Sequence, residues 1–195
     1  DVYNQFIVGK ASQTITFDTI ADQTFGNDPF ELSATSTSGL PVSFSVISGS
    51  AFVNGNMLTI TGAGQITIRA RQAGSTLYKA APSVDQTFYV EKATQTIVFP
   101  SIADRAFTTD PIQLNATASS QLPLYYIVEG NAYLEENILM LTGIGDITVL
   151  AHQAGNGNYF PSDTAVEVFN VTKATQNISF DFQDEVLYNL DPVEL

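Results

Sequence analysis

The chain has 195 residues and a formal net charge of −13 at pH 7, from 20 acidic and 7 basic side chains. This charge argues against nucleic acid and anionic membrane surfaces as partners, because binding a polyanion requires a basic face. The absence of cysteine excludes disulfides, thiolate metal sites and cysteine nucleophiles. With 44% hydrophobic residues, the chain has enough apolar side chains to build a core.

A repeated phrase divides the chain. The stretch that begins at Lys10 returns at Lys92 and again at Lys173, at offsets of 92 − 10 = 82 and 173 − 92 = 81 residues. About 35 of roughly 81 aligned positions are identical between the first two copies, which indicates tandem modules. We predict the last strand of a preceding repeat in residues 1–9, repeat 1 in 10–91, repeat 2 in 92–172 and the start of a third repeat in 173–195. We expect the parent protein to be longer.

In chain order, apolar residues of each repeat alternate with polar ones at a period of two, which is typical of half-buried β-strands. Turn signals such as Ser38-Gly39 and Asn54-Gly55 interrupt the alternation. About seven antiparallel strands are predicted in repeat 1, near residues 12–17, 30–36, 42–48, 51–53, 57–61, 65–72 and 83–91. The predicted fold is all-β, with tandem two-sheet sandwiches and no helix.

The same motifs resemble a known family. Gly-Leu-Pro-Val at 39–42, Leu-Thr-Ile-Thr-Gly-Ala-Gly at 58–64, Gln-Ala-Gly followed by tyrosine, and the Lys-Ala-(Ser/Thr)-Gln-Thr-Ile phrase are similar to bacterial immunoglobulin-like (Ig-like) tandem repeats. Such repeats occur in large secreted or surface adhesin-like proteins. The resemblance covers essentially the whole chain and implies Ig-like β-sandwiches at the bacterial cell surface or outside the cell, without catalytic residues.

The expected function is therefore that of a non-catalytic structural and adhesive module, which acts as a spacer or as a multivalent weak binder. Linked modules raise the effective concentration of a weak site without any new contact. The expected partners are an extracellular protein or glycan and the neighbouring repeats of the same chain, and the chain itself is expected to be a monomer. An enzyme is not expected, because the single histidine, His152, stands on an alternating strand without a recognisable nucleophile or orienting group.

Aromatic residues leave a second function open, that of a carbohydrate-binding module attached to a secreted polysaccharide-acting protein. Tyr125 and Tyr126 are consecutive, so one of them must point outward from a strand. Tyr159 repeats Tyr78 in a loop, and the chain has no tryptophan. If a sugar is bound, Tyr125 and Tyr159 are the predicted ligand-binding residues.

A calcium site is the remaining alternative for chemistry. Asp22 and Asp28 of repeat 1 recur as Asp104 and Asp110 of repeat 2, in the loop after the first strand. Calcium favours clustered carboxylate and carbonyl oxygens, so these four residues are the predicted metal ligands. The competing interpretation is that Asp-Pro opens a turn and the carboxylates bind backbone amides. No other cofactor is predicted.

Overall fold

The computed structural model describes residues 8–180, and this part of the chain consists of strands and loops without a helix. Repeat 1 contains β1 (Ile15–Phe17), β2 (Gln23–Thr24), β3 (Phe30–Glu31), β4 (Ala34–Ser36), β5 (Ser43–Ser48), β6 (Ala51–Asn54), β7 (Met57–Ile60), β8 (Gly64–Arg71) and β9 (Val84–Glu91). Repeat 2 contains β10 (Ile97–Val98), β11 (Arg105–Ala106), β12 (Ile112–Gln113), β13 (Thr117–Ala118), β14 (Tyr125–Glu129), β15 (Ala132–Glu135), β16 (Ile138–Leu141), β17 (Gly145–His152) and β18 (Ala165–Thr172). Most of the predicted segments 1–9 and 173–195 lies outside the described residues.

Two sheets face each other in each repeat. In repeat 1 the larger sheet has the order β2-β9-β8-β5 and the smaller has β3-β7-β6, while β1 and β4 form a separate two-stranded sheet. Repeat 2 has the same arrangement, with β11-β18-β17-β14 opposite β12-β16-β15 and β10 paired to β13. This distribution of strands between two sheets is that of an immunoglobulin-type sandwich. The predicted all-β, Ig-like fold is therefore confirmed.

The structure differs from the predicted strands in two respects. Residues 30–36 form two short strands, β3 and β4, which pair with different neighbours. The short strand β2, which the alternation did not predict, pairs in parallel with β9, and β11 pairs in parallel with β18. A strand of two residues is too short to show a period of two, so the sequence pattern does not predict its pairing.

A β-bulge accounts for the different lengths of the two repeats. In repeat 1 the pairing of β5 with β8 shifts between Val46 and Ser48, so that Ile47 is the extra residue. In repeat 2 the pairing of β14 with β17 runs without a shift from Tyr125 to Glu129. A bulge inserts one residue without moving the rest of the register, so repeat 1 keeps the same inward positions on both sides of it.

Each repeat has an apolar core between its sheets. In repeat 1 Leu58, Ile66 and Ile68 are fully buried, and their counterparts in repeat 2 are equally buried. The buried side chains of the first cluster lie between Ile15 and Val90 in the sequence, and those of the second lie between Ile112 and Val171. The inward positions of the alternating strands thus form the cores, as the period of two predicts.

Buried glutamines explain two of the repeated motifs. In repeat 2 Gln95 Nε2 donates hydrogen bonds to Gln153 Oε1 at 2.8 Å and to the carbonyl oxygen of Phe160 at 2.7 Å. Gln13 and Gln72 form the same buried pair in repeat 1. Because a buried amide must be hydrogen-bonded, the Lys-Ala-x-Gln phrase requires the Gln-Ala-Gly phrase at the other end of the repeat.

The hairpin between the sixth and seventh strands has the same backbone in both repeats but different residues. Gly55 has a φ of 64°, and Glu136 at the same place has a φ of 56°. Asn54 pairs with Met57, so Gly55 is the first residue of a two-residue loop, where a type II′ turn requires positive φ. Glycine adopts this conformation freely, whereas glutamate is strained in it. The positive φ at this turn is therefore shared by both repeats, and it lowers the stability of repeat 2.

Candidate functional site

The outer face of the sheet formed by β14, β17 and β18 is the candidate site in repeat 2. Side chains alternate along each strand, so Tyr125 and Ile127 on β14 and Val166 and Val168 on β18 point away from the core. Their exposed fractions are 57%, 51%, 52% and 58%. Four large apolar side chains are therefore presented to solvent on β14 and β18, the two strands that flank β17.

These side chains are neighbours across the sheet. Ile127 pairs with Leu150 on β17, and Leu150 pairs with Val166 on β18, which produces an apolar row across three strands. Beside this row Tyr125 pairs with His152, and their rings stack with centroids 5.7 Å apart and an interplanar angle of 27°. We call the surface formed by Tyr125, Ile127, Leu150, His152, Val166 and Val168 the apolar face.

Acidic residues lie at one end of the apolar face. Glu129 on β14 and Asp146 on β17 have the same outward orientation as the apolar side chains, and both are exposed. Asp146 Oδ1 accepts a hydrogen bond from Asn170 Nδ2 at 2.6 Å. A partner that covers the apolar face therefore meets negative charge at this end.

The same positions of repeat 1 are polar. Arg69 and Asp85 stand where repeat 2 has Leu150 and Val166, and they form a bidentate ion pair with N–O distances of 2.7 and 2.6 Å. Ser43 and Ser45 replace Tyr125 and Ile127. The hydrogen bond from Arg69 lowers the pKa of Asp85 below its ordinary value, and the positive charges of Arg69 and Arg71 act in the same direction. Repeat 1 thus has the same sheet without the apolar face.

The two tyrosines predicted for sugar binding lie in different surroundings. Tyr125 is exposed on the apolar face, whereas Tyr126 turns into the sandwich, where burial raises the pKa of its phenol. Tyr159 packs edge to face on Phe25 of repeat 1, with ring centroids 5.4 Å apart. Tyr125 is therefore free to contact a ligand, but Tyr159 is engaged at the junction between the repeats.

Three of the four predicted calcium ligands accept hydrogen bonds from the protein. Asp22 Oδ1 accepts a hydrogen bond from the backbone N–H of Tyr89 at 2.7 Å, and Asp104 Oδ1 accepts the equivalent bond from Asn170 at 2.7 Å. Asp110 is bonded to Thr108 in its own loop, and Asp28 is exposed. Within residues 8–180 no three His, Cys, Asp or Glu side chains are grouped to hold a metal ion. Calcium binding remains a prediction, which melting with and without a chelator tests.

Most of the apolar face was missed in the sequence analysis, although its signal is present. Alternation identified Tyr125 as a candidate, but Ile127, Val166 and Val168 read as ordinary strand residues. The face could have been found by comparing the outward positions of the two repeats. At these positions the residues differ in polarity, as where Arg69 aligns with Leu150. The apolar face therefore offers an exposed apolar surface for contact.

Comparisons with known proteins give structural neighbours only. No family model matches the chain, and no curated protein matches it. Human mucin-like protocadherin EC1-2 is similar with a TM-score of 0.36 and 13% identity, over 83% of this chain and 98% of that chain. Drosophila N-cadherin EC1-4 has a TM-score of 0.33 and 12% identity, over 83% of this chain and 48% of that chain.

A third neighbour is the Bacteroides ovatus mixed-linkage glucan utilization locus protein SGBP-B, in complex with a mixed-linkage heptasaccharide. Its TM-score is 0.32 at 14% identity, over 85% of this chain and 48% of that chain. The chain thus spans about half the length of the N-cadherin and SGBP-B chains. None of these neighbours assigns a ligand or an activity to it. Among the described residues there is also no helix long and apolar enough to cross a membrane.

Proposed function

We propose that the chain is a non-catalytic adhesive and spacer segment of a bacterial extracellular or cell-surface protein, in which repeat 2 carries the contact surface and repeat 1 does not. The apolar face is the observation that carries this proposal. It exposes Tyr125, Ile127, Val166 and Val168 together, in a chain whose net charge is −13. Contiguous exposed apolar patches of this kind mark interaction sites in soluble proteins.

The chemistry of the face favours a protein partner. It is the outer surface of a sheet, and its centre consists of aliphatic side chains with one tyrosine at the edge. Protein interfaces combine an apolar centre with a polar rim, and tyrosine is enriched among the residues that dominate binding. Because Glu129 and Asp146 border the face, a partner with a basic group beside an apolar surface is complementary to it.

Retention of the full chain on an array of purified extracellular-matrix proteins tests this function. In the variant Tyr125→Ser with Ile127→Ser, strand β14 receives the residues of repeat 1, which are Ser43 and Ser45. Truncation of a side chain that dominates an interface costs about 2 kcal/mol or more, so we expect retention to fall by at least about 30-fold.

The matched control is Val98→Ser, which removes an apolar side chain that is 65% exposed on the other sheet. This control is expected to retain binding. If no matrix protein retains the chain, or if the β14 variant binds as well as the natural chain, the adhesive role of the apolar face is wrong.

A carbohydrate-binding module is the second candidate, and the exposed ring of Tyr125 is the observation that favours it. Sugars stack on exposed aromatic rings, and the Tyr125 ring is already oriented by its stack on His152. On a glycan array this candidate predicts retention that Tyr125→Phe preserves and Tyr125→Ser abolishes. Retention that depends equally on Val166 and Val168 favours the protein partner instead.

A further inference from the structure

A groove lies at the end of repeat 2 that leads toward residue 173. Its volume is about 700 Å³, and its lining consists of Phe107, Thr142, Gly143, Ile144, Lys173, Ala174 and Gln176. Ile144 is 44% exposed at its edge. The groove is distinct from the apolar face, since it is built by the loop after β16, the loop after β11 and the chain that follows β18.

The equivalent place in repeat 1 is occupied by a loop of repeat 2. Phe25 and Ala63 are the counterparts of Phe107 and Ile144. Tyr159 packs on Phe25 at an interplanar angle of 87°, and Asn158 Oδ1 accepts a hydrogen bond from the backbone N–H of Ala63 at 2.9 Å. Aromatic contact and a hydrogen bond between the repeats therefore hold this loop in place.

The loop that fills the first groove is attached to the start of its own repeat. The backbone N–H of Ala93 donates to the carbonyl oxygen of Asn158 at 2.9 Å, and the N–H of Phe160 donates to the carbonyl oxygen of Ala93 at 2.9 Å. Lys92 Nζ donates to the carbonyl oxygen of Asn156 at 2.7 Å. The short connection at residues 92 and 93 thus positions the loop, and Lys173-Ala174 repeats that connection at the second groove.

We propose that the groove at the end of repeat 2 is the docking site for the tyrosine-bearing loop of a third repeat that continues from Lys173. The contacts of Tyr159 with Phe25 and of Asn158 with Ala63 recur there: Phe107 packs on the tyrosine ring, and the backbone N–H of Ile144 donates to the asparagine side chain. Successive repeats are then fixed end to end. The inference deepens the spacer role of the proposed function and does not depend on what the apolar face binds.

The test extends the full chain. A copy of residues 115–172 is joined after Leu195, so that residues 173–195 and the copied segment complete a third repeat, since Leu195 aligns with Leu114. Hydrogen exchange of the Ile144 amide is measured with and without the extension. One net hydrogen bond of about 1 kcal/mol slows exchange by roughly fivefold, and we expect that slowing at Ile144. We also expect nuclear Overhauser contacts between the ring of Phe107 and the copied Tyr159.

Two variants show whether the groove is responsible. Phe107→Ala in the extended chain is expected to remove both the slowing at Ile144 and the ring contacts. Tyr133→Ala, which removes an exposed tyrosine from β15, is expected to leave both signals unchanged. In a second version of the extension, residues 173–195 are replaced by a copy of residues 92–172, whose sequence already forms repeat 2.

Unchanged exchange at Ile144 in a chain whose third repeat has slowly exchanging strands of its own overturns the proposal. Slowing at Ile144 in the unextended chain that increases with protein concentration assigns the groove to a second copy and overturns it as well. Loss of retention on the matrix array leaves these signals unaffected, so failure of the adhesive role and failure of the docking site are distinguishable.

Discussion

The two repeats have nearly the same interior and different outer faces. Leu58 and Leu139 are both fully buried at equivalent positions, and the Ile66 position is again isoleucine in repeat 2. On the outside, the Arg69–Asp85 ion pair of repeat 1 is replaced by a leucine and a valine. The fold therefore tolerates either face, which means that the apolar face of repeat 2 is not required for folding.

This difference separates the residues that build the sandwich from those available for contact. Large apolar side chains are usually kept out of solvent, and an exposed group of them offers surface that a partner buries. In repeat 1 the polar counterparts remain hydrated. Repeat 1 is thus a natural control for repeat 2, since the same sheet carries both kinds of surface.

The largest predicted effect tests whether the interiors are equivalent. Leu58→Ala and Leu139→Ala each leave a cavity in a fully buried position and are expected to lower the free energy of unfolding of their own repeat by about 3 kcal/mol. Residue-specific hydrogen exchange under denaturant measures each repeat. Val98→Ala, at an exposed position, is expected to change the free energy of unfolding by less than about 0.5 kcal/mol. A cost several-fold smaller in one repeat contradicts the equivalence.

The hairpin turns sharpen the comparison by a smaller amount. Glu136→Gly relieves a positive φ and is expected to stabilise repeat 2 by about 1 kcal/mol. The reciprocal change Gly55→Glu is expected to destabilise repeat 1 by about 1 to 2 kcal/mol. Denaturant unfolding measures both. If Glu136→Gly is destabilising, the strain assigned to this turn is wrong.

The junction distinguishes two equivalent phenylalanines. Phe25 contacts both its own core and Tyr159 of the next repeat, whereas Phe107 lines the groove. We expect Phe25→Ala to lower the free energy of unfolding by about 1 kcal/mol more than Phe107→Ala does. This difference is the typical contribution of one aromatic pair. Tyr159→Phe is the conservative control and keeps the ring contact. Equal costs for the two alanine variants would show that the inter-repeat contact adds no stability.

The smallest effect concerns pH and is confined to repeat 1. Because Arg69 lowers the pKa of Asp85, the pair stabilises repeat 1 at neutral pH, and this contribution is lost as the pH falls through the lowered pKa. Repeat 2 has Leu150 and Val166 at these positions, so it lacks this pH-dependent contribution to stability. Carbon-13 titration of the Asp85 carboxyl is expected to show a rise in its pKa in Arg69→Leu and a smaller rise in Arg71→Leu. An unchanged pKa in Arg69→Leu contradicts the assignment.

The sequence predicted the fold well because the repeat and the period of two are properties of every strand. Both sheets and the cores follow from alternation. The parallel strand β2 did not, since a strand of two residues contains no period and its pairing is supported by the bond from Tyr89 to Asp22. The offsets of 82 and 81 show that the repeats differ by one residue, but only pairing shows that Ile47 forms a bulge.

The candidate site was only partly predictable. Alternation shows that either Tyr125 or Tyr126 points outward, and the structure shows that it is Tyr125. The apolar face depends on pairing between strands that are far apart in sequence, such as Ile127 with Leu150 and Leu150 with Val166. The role of Tyr159 at the junction depends on the contact between repeats, which no pattern within one repeat reports.

Transplanting the repeat 1 ion pair into repeat 2 tests the adhesive role of the apolar face most directly. In Leu150→Arg with Val166→Asp the polar pair of repeat 1 occupies the middle of the apolar face, on strands equivalent to β8 and β9, which hold that pair in repeat 1. Retention is measured on whichever matrix protein retains the natural chain, with circular dichroism to verify folding and with Arg69→Leu plus Asp85→Val as the reciprocal control. We predict a loss of retention of at least about tenfold in the transplanted variant and none in the control. A folded transplanted variant that binds as tightly as the natural chain would show that the contact surface lies elsewhere.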